Sequence, residues 1–390
     1  IFEPFLREYR AEYHLLTFDL PGFGRSAKQN LLYSPAAYSS FLRWVVTEYA
    51  DGPVVLLGHS MGGVLALHFA ATHPEQVARL ILVDAAGVLH RAAFSKNFLQ
   101  IEPPKTLPKI LAIPLQKPMT ILNHLTGTTV ERFERERSGE DIDSILNSES
   151  LRNTVLGGKP KTIASMAAAE EDFSPLLGRI RAQTGIIWGA EDEMTPLRTG
   201  IALAAKIPGA KLEIIENAGH TPMREQAEIF HAATRRALLY VAGETPSDPV
   251  VLSGRSASCN NQSGVTFTGN YESIEIRRCT NVTLQDVTAG YVHVFGSSIE
   301  IENSRIYGKE VGLYADHSKI IATALSINAE VAISASGSNF DLAAVSLSGR
   351  KAAVQTTEQS SLLFSISTID SPFFRGEVHG IRRVTEDSPL

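Results

Sequence analysis

The pentapeptide Gly58-His59-Ser60-Met61-Gly62 lies between the apolar run PVVLLGHS (53–60) and the helical stretch MGGVLALHFAATHP. A serine hydroxyl attacks an acyl carbon only if a neighbouring base removes its proton. The G-x-S-x-G spacing, set between a strand and a helix, makes a sharp turn that lifts the serine oxygen out at the carboxyl edge of a sheet. Small residues at 58 and 62 are expected to relieve the crowding there. The backbone N–H of Met61, at the helix start, then points toward a bound carbonyl as an oxyanion-hole donor.

The base should be one of eleven histidines. His220 stands in NAGHTP, after the apolar run KLEIIENA (211–218) and before a helical stretch, which puts it on a loop at the same edge as Ser60. His59 adjoins the nucleophile, but the turn directs its side chain elsewhere. His68 and His231 fall inside helical stretches, where packing or exposure is the ordinary role. An acid must orient the base and stabilise the imidazolium. WGAEDEMTP, after the run TGIIWGA (184–190), offers Glu191, Asp192 and Glu193.

These residues need a sheet that delivers its strand ends to one edge. YHLLTFDL (13–20), PVVLLGHS, ARLILVDAA (78–86), TGIIWGA and KLEIIENA read as strands buried on both faces. YSSFLRWVVTEYA, MGGVLALHFAATHP, LRTGIALAAKIPG and REQAEIFHAATRRALLYVAG alternate with them at helical spacing, which implies a mostly parallel sheet covered on both faces. Residues 88–175 break the rhythm, with Pro103, Pro104, Pro108, Pro114 and Pro118 and no convincing strand. An insertion this long is expected to be a helical cap, the alternative being a partly disordered loop. Its apolar residues Phe94, Phe98, Leu99, Leu107, Ile110, Met119 and Leu122 either line an acyl pocket or pack helices.

With these motifs in view, residues 1–242 resemble the α/β-hydrolase superfamily, in its small-esterase and epoxide-hydrolase-like branch. The family's W-G-x-x-D-x-x-x-P pattern matches Trp188, Gly189, Asp192 and Pro196, and so singles out Asp192 among the three acids. Its G-H-x-P pattern matches Gly219, His220 and Pro222, and its D-x-P-G-x-G-x-S turn matches Asp19, Pro21, Gly22, Gly24 and Ser26, to which no catalysis is assigned. The chain order Ser60, Asp192, His220 is the family's order. The resemblance implies a serine carboxylesterase-like enzyme acting on a small-molecule ester through an acyl-enzyme, without metal or organic cofactor. Cleavage of C–C bonds or amides by the same three residues is the alternative. Asp84 occupies an acid position used by some relatives; its other role is a loop hydrogen bond. The family's second oxyanion donor lies on a loop after its third strand, and that strand stands between those ending near Asp19 and Ser60. The chain opens at Ile1, on a helix resembling the one that follows this loop, so it is expected to be an N-terminally incomplete fragment: unstable, rearranged or weakly active.

After Gly243 the periodicity changes. A linker is expected over 243–260, a β-rich unit over 261–372 and a tail over 373–390. Val265, Val282, Ile299, Ile320, Phe340 and Leu362 begin short apolar triplets at steps of 17, 17, 21, 20 and 22 residues. Second strands follow at Val292/Val294, Val311/Leu313, Val331/Ile333 and Ala352/Val354. A period near twenty is the pattern of a parallel β-solenoid, and the segment resembles right-handed parallel β-helix domains; an antiparallel sandwich is the rival. Such a face suits a polysaccharide or protein partner, and a chain acting only as a non-catalytic binding module is the different-class reading. Asp286, Glu300, Glu302, Glu310, Asp316 and Asp341 are candidates for sugar-polymer chemistry only if stacking gathers them; a solvated face is their other reading.

Composition bounds the rest. Of 390 residues, 44% are hydrophobic and 20% charged, as in ordinary globular chains, and the net charge of −6 does not favour nucleic acid or an anionic membrane. No apolar run reaches the ~20 residues of a membrane-spanning helix. Cys259 and Cys279 are too few for a thiolate metal site; they either pair or pack as thiols. No targeting signal is legible, so location stays unassigned.

Overall fold

The computed structural model describes residues 2–90, 140–243, 252 and 254–390. The proposed pocket residues Phe94 to Met119 and Leu122, and Pro103, Pro104, Pro108, Pro114 and Pro118, lie outside them, as do residues 244–251 of the expected linker.

The first sheet has four parallel strands, β1 (Val54–His59), β2 (Val77–Val83), β3 (Gln183–Gly189) and β4 (Lys211–Ile215), side by side in that order. Alternation within strands splits the core. Leu80, Leu82, Ile186 and Trp188 face one side, with α2 (Pro35–Tyr49) and α3 (Met61–Thr72). Ile81, Val83, Ile187 and Ile215 face the other. That second face is covered by α1 (Glu3–Tyr9) and, after the remaining helices, by α10 (Ala227–Leu239). Strand burial on both faces is the reason β2 and β3 carry continuous apolar runs.

The insertion's described part is helical: α4 (Glu140–Asn147), α5 (Glu149–Leu156), α6 (Pro160–Glu170) and α7 (Ser174–Leu177). Ser148 caps α5 by accepting the Leu151 N–H, and Gly157 ends it in the left-handed region at φ 64°. Two further helices, α8 (Arg198–Lys206) and α9 (Pro222–Glu225), follow the acid and histidine loops.

One expected strand is corrected. YHLLTFDL contains no strand, and Leu16 and Phe18 are 42% and 44% exposed. The physical reason lies in the ladder: β1 bonds to β2 only, so among the described residues nothing pairs with its other edge, and 13–20 has no strand to join. Val55 on that edge is correspondingly 44% exposed.

The second sheet is built from parallel strands. It comprises β5 (Ser256–Asn260), β6 (Thr266–Arg277), β7 (Val282–Phe295), β8 (Ser298–Glu302), β9 (Arg305–Tyr307), β10 (Val311–Asp316), β11 (Lys319–Thr323), β12 (Ser326–Ser336), β13 (Asn339–Ala343), β14 (Ser346–Thr356), β15 (Ser360–Asp370) and β16 (Arg375–Val384). Only β15–β16 is an antiparallel ladder, which disposes of the sandwich. The stretches taken as linker and tail hold β5 and β16, because each finds a neighbouring strand, β6 and β15, to complete its hydrogen bonds. Val282, Ile299, Ile320, Phe340 and Leu362 are direct cross-strand partners in sequence, forming one apolar column. A second column runs through Val292, Leu313, Ile333 and Val354. Cys259 and Cys279 form a disulfide.

The corners of this sheet are held by buried serines. The N–H of Cys279 donates to Ser297 Oγ, that of Ser297 to Ser318, that of Ser318 to Ser338 and that of Ser338 to Ser360, at 2.9, 3.1, 3.0 and 3.2 Å. A buried N–H without an acceptor costs about 1–3 kcal/mol. Ser318→Ala, which strips Ser297 of its acceptor, should therefore lower unfolding stability by about that amount. An unchanged urea midpoint in circular dichroism would show the ladder to be ornamental.

Candidate active site

The strand β1 runs into α3 through Ser60, whose backbone sits at φ 54°, ψ −125°. Such a φ is costly for a residue with a side chain, and the surroundings must enforce it. Ser60 N–H donates to Val83 O at 3.0 Å, and Ser60 O accepts from Ala86 N at 3.2 Å, tying the turn to the end of β2. A Cβ at residue 58 would meet Gly62 O at 2.3 Å, and one at residue 63 would meet the Ala85 Cβ at 2.5 Å. At Gly62 a Cβ would touch nothing within 4 Å, so the crowding falls on residues 58 and 63, not on 58 and 62. Met61 opens α3, and its N–H has no acceptor within the helix.

Ser60, Asp192 and His220 come together. His220 Nε2 is 2.9 Å from Ser60 Oγ, and its Nδ1 is 2.8 Å from Asp192 Oδ2. With the proton on Nδ1 shared with the carboxylate, Nε2 is free to accept from the serine. Asp192 is further fixed by N–H donors from Met194 and Thr195 at 2.8 and 2.9 Å and by the Thr195 hydroxyl. Burial alone would raise this carboxyl; the hydrogen bonds from His220 and Thr195 outweigh burial and hold it below the usual aspartate value. Trp188 Nε1–H donates to Thr195 O at 2.8 Å, which anchors the acid turn to β3. Glu191 and Glu193 flank Asp192 but are exposed to solvent.

The His220 loop has two supports that sequence reasoning missed. His59 Nε2 lies 2.7 Å from His220 O, so the ring beside the nucleophile buttresses the base; burial lowers the His59 pKa. Glu225 accepts from the N–H groups of Gly219 and Thr221 and from the Thr221 hydroxyl. The signal for Glu225 was in the sequence: Thr221 and Glu225 are four apart, across the start of a helix. His68 and His231 are packing residues. His231 stacks on Phe5, and His68 is buried on α3, 3.8 Å from Glu171.

Asp84 does not touch His220. Its Oδ1 accepts the Gly189 N–H at 2.9 Å, joining the ends of β2 and β3, and its side chain lies near enough to Asp192 to feel that charge. Three acids of the second sheet lie together: burial first, and then the charges of Glu300 and Asp286, raise the Glu302 carboxyl, with Arg198 opposing them. Asp286 pairs with Asn303, Asp316 with His317, and Asp341 with Arg198, while Glu300 and Glu302 lie on β8. Asp19 accepts from Arg25 N–H and shapes its turn without reaching the site.

A model described as the alpha/beta hydrolase family matches residues 1–233. The chain belongs to the α/β hydrolase family. This hydrolase is 30% identical over 230 residues to a 2-hydroxy-6-oxo-6-phenylhexa-2,4-dienoate hydrolase of Burkholderia cepacia, covering 57% of this chain and 76% of that one. It is also 30% identical over 231 residues to a 2-hydroxy-6-oxononadienedioate/2-hydroxy-6-oxononatrienedioate hydrolase of Comamonas testosteroni, covering 58% and 77%. Among solved structures it is similar to a thermophilic esterase from Thermogutta terrifontis, at 25% identity, TM-score 0.41, and 61% and 84% coverage.

Asp84 generates a pH signature in the hydrolase. Burial, countered by the Gly189 N–H and reinforced by Asp192, pushes its carboxyl from 3.8 up to about 8. Between these values the folded chain holds a proton that the unfolded chain has released, so this group's contribution to stability falls as pH rises through that window. Asp84→Asn removes the dependence. Its Tm should exceed wild type by several degrees at pH 8, at about 2–4 °C per kcal/mol, and by much less at pH 5. Equal gains at both pH values in calorimetry would contradict this account.

Proposed function

We propose that the hydrolase cleaves a carboxylic ester through an acyl-enzyme, with Ser60 as nucleophile, His220 as general base and acid, and Asp192 as the partner of the imidazolium. The observation that carries the reading is the unbroken chain Ser60 Oγ–His220 Nε2 at 2.9 Å and His220 Nδ1–Asp192 Oδ2 at 2.8 Å. Ser60 Oγ adds to the ester carbon while His220 Nε2 takes its proton. The carbonyl electrons move onto oxygen, toward the Met61 N–H. Collapse expels the alcohol, which receives the proton from His220. A water then repeats the sequence on the acyl-enzyme, its proton passing through His220 back to Ser60, and the acid departs.

A second reading is favoured by the names of the relatives: hydrolysis of a C–C bond in a 2-hydroxy-6-oxo-dienoate. The same serine adds to a ketone, and the leaving group must take its proton at carbon. The stacked columns of the second sheet support reading 261–372 as a β-solenoid beside a hydrolase unit of 1–242.

Turnover of p-nitrophenyl acetate against that of 2-hydroxy-6-oxo-6-phenylhexa-2,4-dienoate, followed by absorbance, separates the two. The ester should give the larger kcat/KM, and Ser60→Ala should lower kcat by about 10⁴-fold or more. A larger kcat/KM on the dienoate would replace the ester reading by the second, and full activity in Ser60→Ala would sink both.

A further inference from the structure

Helix α8 is gripped from two sides. Its buried residues include Thr199, Gly200, Ala202 and Leu203, and a Cβ at residue 200 would meet the Trp188 ring at 2.8 Å, so the helix lies directly on β3. The second sheet holds it elsewhere. Arg198, its first residue, places Nη1 3.0 Å from Asp341 Oδ2, Nη2 3.2 Å from Asp341 Oδ1 and Nε 3.2 Å from Thr323 Oγ1. The Arg198 and Asp341 side chains are only 11% and 15% exposed. Lys206, its last residue, reaches Thr368 Oγ1 at 3.3 Å and Val345 O at 3.4 Å. Ala343, Ala344, Leu363 and Ile366 of the second sheet join the same apolar core as α3 and Trp188.

The acid turn spans the gap between β3, ending at Gly189, and α8, starting at Arg198. Asp192 takes its aim from the N–H groups of Met194 and Thr195, so the carboxylate follows the backbone of 192–195. Trp188 fixes this backbone from the β3 side. On the far side the Thr195 hydroxyl reaches Asp84 O at 3.2 Å and Leu197 packs on the first core; Arg198, next in the chain, ties the turn to the second sheet. Apolar burial presses α8 onto its neighbours but tolerates sliding, because it has no direction. A two-pronged guanidinium–carboxylate pair fixes distance and plane together.

We propose that Arg198 and Asp341 are positioning residues for the hydrolytic site: through this pair the second sheet sets α8, and α8 sets Asp192 against His220. The second sheet is then a working part of the hydrolase rather than an appended module. The proposal rests on the Ser60–His220–Asp192 reading.

The test uses the full chain carrying Arg198→Met, Arg198→Lys, Asp341→Asn or the reciprocal Arg198→Asp with Asp341→Arg. Three readouts are taken: kcat and KM on p-nitrophenyl acetate, the acid limb of kcat/KM against pH, and the downfield proton NMR signal of the His220 Nδ1–H bonded to Asp192. Arg198→Met and Asp341→Asn should lower kcat about ten- to a hundredfold. KM should stay within about twofold, the pattern of a lost transition-state interaction. The acid limb should move to lower pH, and the downfield signal should weaken. Arg198→Lys should recover part of kcat, since an amine cannot make the fork, and the reciprocal pair should recover more than either of its single changes. Variants that melt earlier, yet match wild type in kcat per folded molecule, acid limb and NMR signal, would overturn the proposal by showing a purely structural pair. The NMR signal needs no turnover. If Ser60→Ala disproves the hydrolytic reading, a signal lost in Arg198→Met still supports the coupling of α8 to Asp192, and an unchanged one refutes it.

Discussion

A serine held at positive φ is the constraint on which the first sheet is arranged. The residue must leave a strand and enter a helix within one peptide, and no local preference favours that conformation. It persists because four separate contacts agree: Val83 O on its N–H, Ala86 N–H on its carbonyl, and two positions, 58 and 63, that admit no side chain. The neighbouring strand end, Asp84, has a positive φ of 41° as well. Both turns sit at the carboxyl edge, where Gly189 N–H meets the Asp84 carboxylate. Strain is therefore concentrated where side chains have to converge, and β2 and β3, buried on both faces, absorb its cost.

The acid reaches this edge by a different route. Ser60 is placed by a turn within one strand–helix unit, and His220 by a loop that His59 and Glu225 brace. Asp192 hangs between a strand of the first sheet and a helix shared with the second. Burying the Arg198–Asp341 pair costs desolvation that an apolar contact would avoid, so its presence is poorly explained by stability alone. Its directional geometry is what an apolar contact lacks.

Ser60 and His220 were legible in the sequence because each stands after an apolar run, and such runs become parallel strands whose ends share an edge; the same rule left Glu191, Asp192 and Glu193 open, and only the family's pattern singled out Asp192. The same rule failed at 13–20. An apolar run becomes a strand only if a neighbour completes its ladder, and that neighbour is a property of the whole sheet, not of the run. The stacked apolar columns were legible for a related reason: like residues recur at the spacing of the turns. The second column keeps that spacing too, with Val292, Leu313, Ile333 and Val354 paired in turn. The turn does direct the His59 ring away from Ser60, but its partner, the His220 carbonyl 161 residues away, was not visible in the sequence. Arg198–Asp341 carries no local signature, since a lone Arg at a helix start and a lone Asp on a strand are ordinary surface residues until two sheets close on them.

The spacing of the second sheet varies along its length, and the variation has a direction. Steps of 17 residues lie toward β5, and steps of 20 to 22 lie toward β15. The side chains that bond α8, at Thr323, Asp341 and Thr368, all come from the longer turns. The helix α8 therefore meets the sheet at the end where the steps are longer. The bonds to α8 from Thr323, Asp341 and Thr368 leave the β5 end of the sheet unengaged, so the number of strands there is not set by that contact. Length would then be a trait this protein can tune independently of its chemistry.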